Sequence, residues 1–474
     1  MPTTFDRVIV NGRVFAGSDL VACDIGIADG KIAALGHDLT AKDKVNAKGR
    51  LVLPGGIDSH VHISQPSGPG IVMADDFESA TRSAAFGGNT TLIPFCMQEK
   101  GQTLRDALKG YHKKADKQCY TDYGFHLVIS DPTPGVLGQE LPGAIADGYT
   151  SFKVFMTYEG LALTDEQILK VMTVAKEAGA LVMVHCENYD IIRFLTDKLE
   201  REGKTAPYYH AVSRPVVAER EASHRALSLA EIMDVPVCIV HISNGPTVEE
   251  IRRARDRGLK VLAETCPQYL VLTAKDLEGL NMEGAKYVCS PPPRDHASQQ
   301  ACWAGIERGD FDLFSSDHCP FRYDDEQGKL NPKGRTSFRW VPNGMPGVGA
   351  RNQILFSKGV MEKRIGIDRF VALTSTNHAK AYGLYPKKGT ISIGADADVV
   401  LWDPTITKPI THADMKDGSD YTPYEGIVCT GWPVETILRG HTIVKGGKLV
   451  AKKGAGSFLP RAKSDLIEGP GAVA

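Results

Sequence analysis

Between Leu51 and Leu384 the chain repeats one pattern: a short run that is apolar at every position, then a stretch of helical periodicity. The runs TTLIPF, GFHLVIS, TSFKVFM, LVMVHC, VCIVHIS and FDLFSS are bounded by Gly, Asp or Asn, and stretches such as DEQILKVMTVAKEAGA and TVEEIRRARDRG separate them. Strand–helix alternation over this length favours parallel strands, because parallel neighbours need a crossover that is usually a helix. Runs without polar alternation suit strands buried on both faces. An α/β fold built on a (β/α)8 barrel meets both conditions and is the first expectation. An open doubly wound sheet is the second.

The two ends have another texture. VIVNGRVF reads as a hairpin with an Asn-Gly turn, and DIGIADGKIAALG as a second with Asp29-Gly30 at the turn. Short β-rich runs return in GTISIGADADVVLWDP and VETILRGHTIVKGGKLV. The expectation is a small β-sandwich made from residues 1–52 and 385–450, enclosing a barrel over 53–384. A Gly/Pro-rich, charged arm over 451–474 follows, read as extended or partly disordered. A length of 474 residues suits a large barrel with a smaller partner.

Charge narrows the partners. Lys+Arg total 55 and Asp+Glu 57, a net charge of -2, which gives no electrostatic case for nucleic acid or an anionic membrane. No window is apolar for long enough to span a bilayer, and MPTTFDRVIV lacks the pattern of a signal peptide. The 10 Cys contain no C-x-x-C pair, which reads as reduced thiols in a cytoplasmic protein.

The strongest local signal is GGIDSHVHISQP. His60 and His62 are two apart, so on an extended strand both imidazoles share one face and can bind one divalent ion. Alone, the motif is equally consistent with two loop histidines. His185 closes LVMVH and His241 closes VCIVH, each where a parallel strand should emerge at its C-terminal end, the rim where barrel sites gather. Asp317 follows DLFSS and adds a carboxylate at a fourth strand end; by itself it reads as a turn or cap residue. Lys153 lies inside TSFKVFM, where an unpaired ammonium is costly and burial favours the neutral amine. A neutral amine can add carbon dioxide to give an anionic carbamate ligand; a rim lysine or a Schiff-base lysine are the alternatives. Four His, one modified Lys and one Asp suit two metal ions.

Together with FKVFMTY, VHCEN, VHIS, ETCPQYL, CSPPPR, SSDHCPF and VPNGMPG, these segments resemble the amidohydrolase superfamily, and within it the dihydropyrimidinase/D-hydantoinase family. The likeness covers nearly the whole chain. It implies that His60, His62 and Asp317 hold the more buried metal, that His185 and His241 hold the more exposed one, and that Lys153, carboxylated on its side-chain nitrogen, bridges them. It implies that Tyr158 donates to a developing oxyanion, that the main chain of Ser290 and Asn343 grips a cyclic amide, and that Asp317 shuttles the proton. The expected activity is ring opening of dihydropyrimidines or 5-substituted hydantoins to N-carbamoyl amino acids by a metal-bridging hydroxide, with zinc as metal and a homotetramer as assembly.

The sequence departs from the family at Gly349, where relatives often carry Glu, and in the loops ISQPSGPG and YEGLAL, which carry larger apolar residues elsewhere. Dihydroorotase often has Arg where Ser64 stands, which counts against that activity; allantoinase is compatible with HVHISQP. A non-catalytic scaffold of the same fold would have lost metal ligands, and here all six positions are intact. Cys319 beside His318 reads as a structural thiol, His378 as a capping or packing residue, Tyr208 and Tyr209 as surface aromatics, and Arg294 as a barrel-rim salt bridge or a contact to an acidic substrate.

Overall fold

The computed structural model describes residues 5–465. One of its two nine-stranded sheets is parallel, and eight of its strands follow chain order: Gly56–Val61, Asn89–Met97, His126–Val128, Ser151–Phe155, Leu181–His185, Val237–Ile239, Val261–Thr265 and Leu313–Phe314. A parallel bridge from Val61 to His318, with the His62 N–H donating to the His318 carbonyl at 2.6 Å, brings the last strand back to the first. The sheet is a (β/α)8 barrel. Nearly every residue on these strands is buried, which is why the runs lack polar alternation.

Local rules explain the surrounding helices. Asp165–Ala178 begins at a capping box between Thr164 and Gln167, buries Ile168, Val171, Met172 and Ala175, and stops at Gly179, whose φ of 75° is left-handed. Gly245–Asp256 starts where the Asn244 side chain accepts the Thr247 N–H.

Two strands are shorter than their apolar runs. VCIVHIS contributes only Val237–Ile239 and FDLFSS only Leu313–Phe314. The backbone then turns into the left-handed region, at φ 40° for His241 and 50° for Asp317, and leaves the ladder. Such conformations are rare for non-glycine residues and cluster at functional sites.

The second sheet is sewn from both ends of the chain. Leu51–Pro54 pairs antiparallel with Val399–Pro409, and Arg7–Ala16, Asp19–Ala28 and Lys31–Gly36 extend it on one side. Val428–Leu438 and His441–Lys445 extend it on the other. Asp29 and Gly30, at φ 50° and 72°, form the expected turn. The Asn11-Gly12 turn is a correction. Arg7–Ala16 is one continuous strand, and the register against Asp19–Ala28 slips between Ile9 and Gly12. Asn11, at φ 59°, is a bulge there rather than a hairpin tip. A Cβ on Gly12 would lie 2.5 Å from Val52 Cγ2, so glycine is required by packing as well.

The C-terminal segment is packed, as far as it is described. Phe458 stacks on Phe125 at 5.8 Å, and Arg461 reaches into the barrel's N-terminal mouth, donating to Ser151 Oγ at 2.8 Å and the Phe125 carbonyl at 2.6 Å. The remainder of the arm, 466–474, lies outside the described residues. Lys388 ties barrel to sheet, 2.6 Å from Asp122 and 2.8 Å from Asp398.

Candidate metal centre

The first barrel strand aims His60 and His62 into the C-terminal mouth. His60 Nδ1 lies 2.5 Å from Glu264 Oε1, and His62 Nδ1 lies 2.6 Å from Gln65 Oε1. Each oxygen accepts, so each Nδ1 carries the hydrogen and each Nε2 is left as the ligating nitrogen. Both Nε2 atoms converge on Asp317 Oδ1, at 3.1 Å and 3.6 Å. Lys153 Nζ, on the fourth strand, is 2.8 Å from His60 Nε2 and sits over the rings of Phe95 and Phe155.

His185 and His241 form the other half. His185 Nε2 is 2.9 Å from Glu187 Oε2, which leaves Nδ1 free to ligate, and that Nδ1 lies 2.8 Å from His241 Nε2. Glu187 is held in turn by Arg214 at 2.8 Å. The halves adjoin: the His60 and His241 ring centroids are 5.3 Å apart. Glu264 joins them, since its Oε1 also accepts the His241 N–H at 3.2 Å while Oε2 accepts from Ser315 Oγ at 2.7 Å.

Burial pushes the His185 and His241 imidazoles well below their ordinary pKa and lowers His62 to about 4. These rings are neutral at pH 7, and each keeps a lone pair that could face a metal ion. Burial lowers Lys153 to about 8, against the pull of Asp317 and Glu264, so its amine is within reach of neutrality. At His60, burial and Lys153 oppose protonation, yet Glu264 and Asp317 outweigh them and hold its pKa above the ordinary value. Asp317 is ionised despite burial, because His60 and its neighbours hold its pKa far down.

That balance is the test of metal fit. With Nδ1 donating to Glu264, His60 Nε2 and the Asp317 carboxylate are two electron-pair donors 3.1 Å apart, with the Lys153 amine 2.8 Å from the same nitrogen, an arrangement that a shared cation stabilises. A proton serves, and a divalent cation serves with more charge. His60, His62 and Asp317 present ligand atoms all within 4.8 Å of one another. The buried imidazoles, with their outer nitrogens held by oxygen acceptors, suit a borderline-soft ion.

Tyr158 sits beside this cluster, its ring centroid 5.3 Å from that of His185 and its backbone at φ 76°. Its hydroxyl interacts with the side chains of Ser290 and Asn343, and burial raises its pKa. The three expected substrate contacts therefore lie together. The other motifs are structural. Cys319 Sγ lies 3.5 Å from the Asn343 carbonyl, whereas His318 turns away to pair with Asp75 at 2.8 Å. His378 packs against Ser59 Oγ at 2.8 Å, and Arg294 is a buried salt bridge to Glu219 at 2.8 Å. Tyr208 and Tyr209 open the short helix Tyr208–Ser213 and are half-buried. Gly349 is required by close approach: a Cβ there would be 2.7 Å from Ser83 Oγ.

Glu264, Glu187 and Gln65 lie inside the motifs ETCPQYL, VHCEN and GGIDSHVHISQP, but nothing in those motifs assigns them a role. The available signal for Glu264 was the one that exposed Lys153, a charge embedded in an apolar run, here VLAET.

Fold and rim together define a metal-dependent amidohydrolase, and the family model described as amidohydrolase family matches residues 51–443. A D-hydantoinase from Geobacillus stearothermophilus is 45% identical over 96% of this chain and 97% of its own length. The crystal structure of a dihydropyrimidinase from Brevibacillus agri NCHU1002 superposes with a TM-score of 0.94 at 42% identity, covering 97% of this chain and 99% of that one. An L-hydantoinase (dihydropyrimidinase) from Arthrobacter aurescens is more distant, at 29% identity and a TM-score of 0.87 over 97% and 100%. The chain belongs to the amidohydrolase family and, within it, to the dihydropyrimidinase/hydantoinase group of cyclic amidohydrolases.

Proposed function

We propose that the chain opens the ring of a dihydropyrimidine or a 5-substituted hydantoin by hydrolysis of a cyclic amide bond, giving an N-carbamoyl amino acid. The observation that carries this is the convergence of four histidines, Lys153 and Asp317 on one rim, with Tyr158 beside them. His60, His62 and Asp317 would hold one divalent ion and His185 and His241 a second, zinc in both positions, with Lys153 N6-carboxylated as the shared ligand. Bound ions of this kind supply Lewis acidity and lower the pKa of water.

The protein's own groups do the rest. Burial keeps the Tyr158 phenol protonated, so it can donate to the amide oxygen as charge builds there. Ser290 and Asn343 fix the ring against it. Ionised Asp317 takes the proton from the attacking water, then passes it to the ring nitrogen as the C–N bond breaks. The higher identity to D-hydantoinases than to the L-hydantoinase supports a preference for D-5-substituted hydantoins. A cytoplasmic homotetramer is part of the same proposal; among the described residues all ten cysteines are free thiols and no helix is long and apolar enough to cross a membrane.

A substrate panel tests it: dihydrouracil, hydantoin, both enantiomers of a 5-substituted hydantoin, allantoin and dihydroorotate, on zinc-loaded protein grown with bicarbonate. Turnover of dihydrouracil, hydantoin and the D enantiomer of the 5-substituted hydantoin, faster than the L enantiomer and each giving an N-carbamoyl amino acid, is expected. Exclusive turnover of allantoin or dihydroorotate would reassign the substrate, and no turnover by metal-loaded protein would favour a scaffold.

A further inference from the structure

Lys329 is fully buried in the segment that follows the last barrel strand, and the reaction just described does not use it. Among the described residues no carboxylate pairs with it. Its ammonium donates instead to two main-chain carbonyls, Val288 at 2.7 Å and Pro342 at 3.0 Å. Val288 stands two residues before Ser290, and Pro342 stands immediately before Asn343. The Val288 carbonyl also accepts the Gly344 N–H at 3.0 Å, so the two loops are cross-linked twice at one point. Both Ser290 and Asn343 meet the Tyr158 hydroxyl, so the separation of their backbones sets the width of the place the ring would occupy.

A buried ammonium without a counter-charge is costly. A tie between two loops could be made by a neutral donor at less cost, which leaves the strength of a charged donor as the reason for lysine. The geometry points to Lys329 as a positioning residue that holds the Ser290 and Asn343 backbones at the spacing needed to bind the cyclic amide, without touching it. This rests on the proposed cyclic amide hydrolysis. The groups facing Lys329 are the thiols of Cys289 and Cys319 and the imidazole of His210. Burial lowers its pKa to about 7, so the ammonium cross-link weakens on the alkaline side of neutrality.

The test compares wild type, Lys329→Met and Lys329→Arg, all zinc-loaded, with dihydrouracil. Lys329→Met keeps the aliphatic stem and removes the donor. We expect its KM to rise about tenfold or more, with kcat and bound zinc near wild type, and Lys329→Arg to recover part of the loss. An unchanged KM in folded Lys329→Met, or a fall in kcat with KM unchanged, overturns the role. If Lys329→Met does not fold, Lys329→Gln, whose shorter neutral side chain cannot supply the charged tie, decides: a raised KM with kcat and bound zinc near wild type supports the role, and an unchanged KM overturns it. Wild-type protein that turns over none of the substrate panel removes the proposed activity, and this inference with it.

Discussion

Replacing Glu264 separates a metal-orienting role from a purely structural one. Glu264 accepts from His60 Nδ1 at 2.5 Å, from the His241 N–H at 3.2 Å and from Ser315 Oγ at 2.7 Å. Glu264→Gln keeps an oxygen for the first two donors, and its amide N–H can face Ser315, whose hydroxyl can turn toward Ser59 at 3.5 Å. The fold should survive. What is lost is the negative charge behind His60, and removing such a partner costs ~10–100-fold in metal affinity, or about 1.4–2.7 kcal/mol. Glu264→Leu leaves Ser315 to turn toward Ser59 and orphans the two other buried donors, His60 Nδ1–H and the His241 main-chain N–H, at ~1–3 kcal/mol each, about 2–6 kcal/mol together, a large share of a domain's stability. Competitive zinc titration with a chelator reads the first variant, and thermal unfolding of metal-free protein reads both. Wild-type zinc affinity in Glu264→Gln would refute the reasoning.

Lys153→Ala should abolish turnover and lower bound metal, measured by elemental analysis, with no rescue by bicarbonate. Tyr158→Phe should cut kcat by ~10²–10³ while leaving metal content intact, seen by steady-state kinetics. The Glu264 carboxyl is held down to about 2, His60 and Ser315 overcoming the opposing effect of burial. Its contribution is therefore present above its ordinary value of 4.5 and is lost as pH falls from there toward 2. Chelator-treated wild type should lose melting temperature over that interval, and Glu264→Gln should lose less. Gly349→Ala, whose Cβ would lie 2.7 Å from Ser83 Oγ and 3.2 Å from the Met415 carbonyl, should destabilise by ~1–3 kcal/mol in denaturant unfolding.

The barrel was legible because burial on both faces leaves an uninterrupted apolar run, and a polar residue closing such a run is conspicuous. His185, His241 and Asp317 all stand in that position. The Asn11-Gly12 pair misled because a residue preceding glycine and tolerant of positive φ serves a bulge as readily as a hairpin tip. Partners settled the matter: Arg7–Ala16 is held along its length by Asp19–Ala28. The role of Glu187, just past a strand end, is set by Arg214, which is brought to it from 27 residues further along the chain. Lys329 lies in EQGKLNPKG, a polar stretch with the texture of a surface loop. Its burial comes from the chain folding back over Val288 and Pro342, which no local pattern encodes.

The central claim is that distant side chains converge around a pair of cations. Anomalous diffraction at the zinc edge, on crystals of protein grown with zinc and bicarbonate, tests it most directly. Two peaks among His60, His62, Lys153, His185, His241 and Asp317, with density bridging from Lys153, are predicted. No peak among these residues, or zinc bound only elsewhere, would contradict the account.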